Sequence, residues 1–383
     1  MGSTAGNGGS VEGAEERWTL VTGGAGFVGS NLVDRLAREG RRVRILDNLS
    51  RPGVERNAEW LRQRHGGRQG GTIELLQADV RDPAAVDAAL RDVETVFHFA
   101  AQVAVTTSLD DPREDFRINL EATFELLDAI RRRRHPPRLF FTSTNKVYGS
   151  LPDVELSRDA TRYAPVAEEI RRHGIPETRP LDFHSPYGCS KGGADQYVLD
   201  FSRTFGLQTA VFRMSCIYGP RQFGTEDQGW VAHFLLRALA GEPITLYGDG
   251  RQVRDVLFVE DLVEAFLRVE RQLQETPEIA GQAFNVGGGP DNTVSLLELL
   301  GLIAELTGER PEVEHSPWRT GDQRYYVSDT RRLQRLTGWQ PRVGVRQGVG
   351  RLLQWLRQLE APAASRPAAA VERRLQEVAG GLR

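Results

Sequence analysis

Tyr187 and Lys191 stand four residues apart in Tyr187-Gly-Cys-Ser-Lys191, a spacing that puts two side chains on one face of a helix. An ammonium beside a phenol favours the phenolate and lowers a pKa that is otherwise about 10. Such a tyrosine can take a hydroxyl proton near neutral pH. Tyr-x-x-x-Lys pairs are also common on helix surfaces, so this one gains its meaning from a third group, the hydroxyl of Thr144 in Phe141-Thr-Ser-Thr-Asn-Lys-Val-Tyr-Gly149. The second chemistry-bearing stretch is Trp18–Leu32, where Gly23, Gly26 and Gly29 come after an apolar run with the spacing G-x-x-G-x-x-G. These glycines let a turn close, bring backbone against a pyrophosphate and pack a helix on the strand, leaving free helix N–H groups for phosphate. Glycine-rich surface turns share that composition, and the residues beyond the turn separate the two: a helix over Ser30–Glu39, a stop at Gly40, and a strand Arg42–Leu46 ending in Asp47. An acid there hydrogen-bonds both ribose hydroxyls and repels a 2′-phosphate, which points to NAD over NADP. Arg51 nearby pulls the other way.

These groups need a sheet to bring them together. Strand-like runs Thr72–Leu76, Thr95–Ala100 and Arg138–Thr142 alternate with helix-period segments Asp82–Arg91 and Arg113–Arg134, which predicts βαβ units and a parallel sheet covered on both faces. Asp79-Val80 and Ala100-Ala101-Gln102 fall just past strand ends, either on the edge where open α/β sheets hold ligands or in plain turns. Residues 151–184, charged and without a period, read as an insertion or lid over the site. Helix Tyr187–Thr204 and strand Gln208–Arg213 come next, then loops rich in Gly, Gln and aromatics around a helix Gln228–Ala240. Asp255–Val269 and strand Ala283–Val286 return to the first domain, and residues 287–357 add two helices and a strand. The expectation is an α/β protein. A doubly wound parallel sheet of Rossmann type spans 17–215 and 255–286, a smaller C-terminal α/β substrate domain spans 216–254 and 287–357, and a cleft lies between them.

The 49 basic and 52 acidic side chains leave a net charge of −3, which gives no pull toward nucleic acid or membrane. Arg131–Arg134 ends a predicted helix, where cations suit the dipole. Cys189 and Cys216 form no disulfide framework, and with no signal peptide or long apolar span the chain is expected in the cytoplasm. Residues 1–16 read as a disordered leader, and 358–383 as a flexible Ala/Pro-rich tail with a loose helix over 368–378. His98, in an apolar strand, reads as a satisfied core residue, and the isolated Glu226 and Asp227 suggest no metal site.

Together the glycine turn, Thr144 and the Tyr187/Lys191 pair resemble the extended short-chain dehydrogenase/reductase family of nucleotide-sugar enzymes, from about residue 18 to 357. The resemblance implies that Tyr187 is the acid/base, that Lys191 binds the nicotinamide ribose and lowers the tyrosine pKa, and that Thr144 hydrogen-bonds the reacting oxygen. It extends the NAD contacts to Phe27, Val28, Asn48, Ser50, Arg51, Asn119, Thr142 and Met214 beside Gly23, Gly26, Asp47, Asp79, Val80, Ala100, Ala101 and Gln102. It also implies a homodimer or homotetramer through helices Arg113–Arg134 and Tyr187–Thr204. Finer stretches are similar to the family's 2-epimerases of CDP-linked 3,6-dideoxyhexoses: Asp47–Gly53, Ala101–Ser108, Ser143–Gly149, Leu181–Lys191, Gly219–Phe223 and Asp227–Trp230. Met214 and Cys216 depart from that pattern, which bears on sugar or base preference more than on reaction type. For the nucleotide-diphosphate sugar the resemblance implies Arg254 and Arg319 on the diphosphate, where guanidinium suits bidentate contact, and Asp322 on a ribose. Thr144, Asn145, Cys216, Arg221, Gln222, Gln228 and Trp230 are further candidates for the cleft; Trp230 reads equally as packing.

The family's 4,6-dehydratases carry Asp-Glu directly after the catalytic Thr, because eliminating water needs an acid and a base beyond the tyrosine. Here those positions are Asn145 and Lys146, so a hydride taken and returned is the simpler chemistry. A 3,6-dideoxy sugar has no hydroxyl at carbon 3, and a ketone at carbon 4 would acidify carbons 3 and 5. Inverting carbon 2 therefore implies oxidation at carbon 2 itself, with Tyr187 deprotonating that hydroxyl while NAD takes the hydride and later returns it to the other face. A UDP-sugar 4-epimerase or decarboxylase keeps the fold and changes the reaction. A redox-sensing protein that holds NAD without catalysis is the reading from another class, and the full Tyr/Lys/Thr set argues against it.

Overall fold

The computed structural model describes residues 17–66, 72–319 and 321–360; the expected leader and all but the first residues of the expected tail lie outside them. Seven parallel strands form the central sheet in the order Gln282–Val286, Thr209–Met214, Arg138–Thr144, Val93–His98, Trp18–Thr22, Arg42–Asp47, Ile73–Gln77. The chain runs outward from Trp18–Thr22 and then restarts on its other side at Val93–His98. The crevice at the carboxyl ends of those two strands is thus a topological switch point, where such sheets bind ligands.

The strands are near-continuous apolar runs because both faces are covered. Val21, Phe97, Phe140 and Phe212 pack against helices Phe27–Arg38 and Val259–Glu275. Leu20, Val96, Phe141 and Val211 pack against Ala122–Arg131 and Ser185–Phe205. Phe97 stacks on Phe140 at 5.0 Å and Phe212 meets Phe266 edge-on at 4.8 Å, each buried aromatic stabilising by about 1.5–3 kcal/mol. Helix Ser185–Phe205 starts with Pro186 in its first turn and ends at Gly206, whose φ of 70° stops it. At Gly192 a Cβ would stand 2.4 Å from the Phe183 ring, so glycine lets that ring lie flat on the helix.

In the smaller unit, Val253–Phe258 pairs antiparallel with Thr293–Ser295 and parallel with Tyr325–Tyr326 and Cys216–Tyr218. Ile244–Tyr247 pairs with Val313–Ser316. Helices Trp230–Ala240, Leu296–Thr307 and Val345–Glu360 bury Leu235, Leu299 and Leu352 against this layer. Val253–Phe258 therefore belongs to the small sheet, and the chain rejoins the large one at helix Val259–Glu275 rather than at residue 255.

Several expectations change. A short separate helix Val105–Asp110 comes first, and the expected helix Arg113–Arg134 follows as Pro112–Phe116 running through a π-turn Arg117–Glu121 into Ala122–Arg131. Asp111 caps Pro112–Phe116, accepting from the Glu114 amide at 2.9 Å with Pro112 at its first position. Among the described residues, 287–357 hold three α-helices, Arg331–Thr337 being the additional one, and three strands, where two and one were expected. Segment 151–184 forms a hairpin (Leu156–Arg158 with Tyr163–Pro165) and a helix Glu168–His173. It is tied to the small unit by Tyr163 Oη to Asp249 at 2.8 Å and Arg162 to Glu298 at 2.7 Å. None of its residues lines either of the two cavities that meet at Tyr187, so it is a strap along the flank and not a lid. Helix Val345–Glu360 runs past the expected start of the tail at 358. Among the described residues no helix is long and apolar enough to cross a membrane.

Candidate active site

Two cavities meet at Tyr187. The first, about 220 Å³, lies at the switch point and is lined by Gly23, Gly26, Phe27, Val28, Asp47, Asn48, Ser50, Arg51, Asp79, Val80, Ala100, Ala101, Thr142, Lys191 and Met214 with Tyr187. Its floor requires glycine. Gly23 has φ of 66°, and a Cβ on Gly29 would stand 2.3 Å from the Gly23 carbonyl oxygen, so the helix start sits directly on the loop. No side chain caps that helix at Gly26, which leaves its first N–H groups for an anion. Asp47 accepts from the amides of Ala25 and Leu49 at 2.9 Å each. Burial nonetheless pushes its pKa up, against those amides and Arg51. Arg51 reaches across the loop to donate to Gln228 Oε1. Asp79 is held well below the usual carboxylate range by Arg81 at 2.8 Å, and Asn48 Nδ2 donates to it at 2.9 Å. Glycine floor, uncapped helix and ribose-side carboxylate fit a dinucleotide.

Gln102 and Asn119 line neither cavity. Asn119 is buried in the π-turn, accepting from the Gln102 amide at 2.9 Å and donating to Asp115 at 3.0 Å and to Ser190 at 3.2 Å. Ser190 in turn donates to Asp115 at 2.5 Å. This network locks the π-turn to the Tyr187 helix. Sequence reading missed Asp115 and Ser190, whose pairing spans some seventy residues. His98 meets Thr22 at 2.7 Å and Thr123 at 3.0 Å and is fully buried, which pushes its pKa down to about 3. It is the satisfied core histidine the strand pattern implied.

The second cavity, about 660 Å³, opens between the two units, a size suited to a whole small-molecule ligand. Thr144, Asn145, Lys146 and Tyr187 line it together with Cys216, Gln228, Trp230, Arg254, Arg319 and Asp322. The Thr144 hydroxyl acts to lower the pKa of the Tyr187 phenol, and the Tyr187 amide donates to Ser108 Oγ at 3.2 Å. Ser185, at the start of the same helix, has φ of 66°, backbone strain of a kind that clusters at functional sites. Arg254 donates to Asp322 at 2.6 Å, and Arg319 lies 3.8 Å over the Tyr247 ring within 3.6 Å of Asp227. Val103, Thr106, Leu109, Tyr247, Gln252 and Trp318 also line the walls. Ala101–Ser108 was singled out as a stretch, but nothing in its spacing marked which residues face inward.

Two expectations need correction. The ammonium of Lys191 sits 4.1 Å over the Phe141 ring. Burial, not a neighbouring charge, dominates both members of the pair. It pushes Tyr187 up to about 12, with Thr144 opposing, and Lys191 down to about 7, with Asp195 and Asp115 opposing. The low dielectric penalises either charge, so the chain alone does not acidify the phenol. Arg221 and Gln222 line neither cavity. Arg221, at φ of 74°, lies 3.8 Å over Trp60 and 5.8 Å from Trp355, bridging the units, and Gln222 Nε2 donates to the Ile217 carbonyl at 3.2 Å. Among the described residues no group of three or more His, Cys, Asp or Glu could hold a metal.

The NAD dependent epimerase/dehydratase family matches residues 19–287. The chain is 40% identical to a CDP-paratose 2-epimerase of Salmonella typhi, over 88% of this chain and 98% of that one. It is 33% identical to a UDP-glucose 4-epimerase of Mycolicibacterium smegmatis, with the same coverage. A solved UDP-glucose 4-epimerase of Thermus thermophilus in complex with NAD superposes with a TM-score of 0.72 at 33% identity, over 89% of this chain and 99% of that one. Rossmann sheet, glycine floor and Tyr187/Lys191/Thr144 junction agree with these matches: the chain belongs to the NAD dependent epimerase/dehydratase family and is an NAD-dependent enzyme of the isomerase class.

Proposed function

We propose that this enzyme inverts carbon 2 of a nucleotide-linked 3,6-dideoxyhexose, in the manner of CDP-paratose to CDP-tyvelose. The carrying observation is the pair Asn145 and Lys146 at the reacting end of the cavity. With Asn145 and Lys146 where the 4,6-dehydratases carry Asp-Glu, elimination lacks its paired carboxylates, and oxidation followed by reduction at one carbon is the simpler chemistry. The 40% identity to the Salmonella typhi 2-epimerase supports the choice of carbon. The 33% identity to a UDP-glucose 4-epimerase keeps a UDP-sugar 4-epimerase, or a decarboxylase of the same fold, as the second reading.

Bound NAD supplies a reversible two-electron acceptor for carbon 2. Gly23, Gly26 and the start of helix Phe27–Arg38 would hold its pyrophosphate, Asp47 its adenosine ribose, and Lys191 its nicotinamide ribose. Tyr187 takes the proton of the carbon 2 hydroxyl and later gives it back, while Thr144 donates a hydrogen bond to the same oxygen. Arg254 and Arg319 hold the diphosphate, Asp322 a ribose hydroxyl, and Asn145, Cys216, Gln228 and Trp230 bound the sugar and nucleoside. The walls must leave room for the oxidised sugar to turn over, which a cavity of about 660 Å³ allows.

Exposed Phe124, Tyr197 and Phe205 join Phe201 in one aromatic cluster on helices Ala122–Arg131 and Ser185–Phe205, with rings 4.9–6.4 Å apart. That patch supports a homodimer through these helices. Both cysteines are free, as suits a reducing cytoplasm. NMR assay of a panel of CDP-, UDP- and GDP-sugars tests the reading: inversion at carbon 2 of the CDP-dideoxyhexose is expected, and inversion only at carbon 4 of a UDP-sugar overturns it.

A further inference from the structure

Among the described residues three full cations line the large cavity: Lys146, Arg254 and Arg319. Arg254 and Arg319, placed above on the diphosphate, also have several partners within the chain. Arg254 donates to Asp322 at 2.6 Å and to the carbonyls of Val253 and Gln323 at 2.8 and 2.5 Å. Arg319 lies over Tyr247 and between Glu226 at 3.5 Å and Asp227 at 3.6 Å. The Lys146 ammonium has the Gly321 carbonyl at 3.4 Å and, at 3.9 Å, the same Asp322 carboxylate that Arg254 already engages. Its side chain is 23% exposed. Burial, with Arg254 nearby, pushes its pKa down to about 8. A half-buried cation so thinly paired is stabilised by an anionic ligand.

Lys146 is also the cation fixed to the reacting end. Its amide donates to Thr144 Oγ1 at 3.2 Å, in the 3₁₀ turn Asn145–Tyr148 that Thr144 caps. In a nucleotide-diphosphate hexose, carbon 1 carries the phosphate, carbon 2 is its neighbour and carbon 4 lies across the ring. A site that presents carbon 2 to Tyr187 and Thr144 therefore brings the glycosyl phosphate beside the same two residues. A site that presents carbon 4 directs it to the far end of the cavity.

We propose that Lys146 holds the glycosyl phosphate of the substrate and thereby selects carbon 2 over carbon 4 for presentation to Tyr187 and Thr144. The inference rests on the 2-epimerase reading of the site. A compact ammonium with three donors suits a phosphate at this crowded position, whereas a carboxylate would repel it.

The test is titration calorimetry of the NAD-loaded full chain with CDP and with CMP, which lacks the outer phosphate. Lys146→Met should weaken CDP by about tenfold or more and CMP by less than about twofold, and Lys146→Arg should keep CDP within a few-fold of the native chain. Should Lys146→Met not load NAD, Lys146→Gln against Lys146→Arg makes the same comparison. Unchanged CDP affinity, or equal losses for CDP and CMP, overturns the role of Lys146 and leaves the 2-epimerase reading standing if the native enzyme inverts carbon 2. Inversion at carbon 4 by the native enzyme overturns that reading, and the proposed selection with it.

Discussion

Tyr187→Phe separates chemistry from binding. The ring is 8% exposed and wedged into the junction of both cavities, so phenylalanine keeps its packing. The lost hydroxyl interacts with Thr144, which keeps the Lys146 amide as a donor at 3.2 Å. The stability cost should therefore be about 1 kcal/mol, and NAD should remain bound. Burial pushes the phenol up to about 12, which keeps it protonated at neutral pH in the bare chain. The phenolate that takes the carbon 2 hydroxyl proton would have to be favoured by the positive charge of bound NAD, and removing the Tyr187 hydroxyl should cost about 10²–10⁴-fold in turnover. Native turnover should rise with pH below the phenol's titration, while the residual Tyr187→Phe rate should not. The assay pairs NAD content, read by absorbance after denaturation, with product formation by NMR. Turnover within about tenfold of native, or a variant emptied of NAD, would refute the reasoning.

Gly29→Ala forces a Cβ 2.3 Å from the Gly23 carbonyl oxygen. The helix start must shift, at a cost of about 1–3 kcal/mol, and the protein should purify with little NAD while keeping its far-ultraviolet dichroism. Because burial raises the folded pKa of Asp47, its ionised form is lost on acidification earlier than in a free aspartate. NAD affinity should fall as pH drops through that raised range, and Asp47→Asn should flatten the dependence in a calorimetric pH series. Asp195 and Arg213 form a buried pair with two 2.9 Å hydrogen bonds. Asp195→Asn strands the guanidinium and should cost about 3–5 kcal/mol, read as a lower Tm.

Local spacing made part of this site legible. Gly23, Gly26 and Gly29 or Tyr187 and Lys191 are close in sequence, and helix and turn geometry fixes where they point. Asp47 and Thr144 could be placed from strand ends at a predictable sheet edge. Helix Val54–His65 went unread because its buried face carries only Val54, Asn57 and Leu61, one of them polar, among charged residues. Arg221 was a cleft candidate through the resemblance of Gly219–Phe223 to family stretches, but its positive φ turns it onto Trp60 and Trp355. Nothing local encodes that rotation. The acidity of Tyr187 was misjudged for a related reason: spacing reports the neighbouring ammonium, while burial by Phe141 and the rest of the core is a property of the whole fold. Tyr247 and Trp318 reach the cavity only through the pairing of Ile244–Tyr247 with Val313–Ser316.

The most direct measurement tracks CDP-paratose, incubated in deuterium oxide with the NAD-loaded enzyme, by proton NMR. Oxidation and reduction at one carbon, with Tyr187 handling only the oxygen-bound proton, predicts product inverted at carbon 2 whose carbon-bound hydrogen comes from the substrate and carries no solvent deuterium. Deuterium at carbon 2 would mean that a proton had been drawn from carbon itself, and would contradict the account.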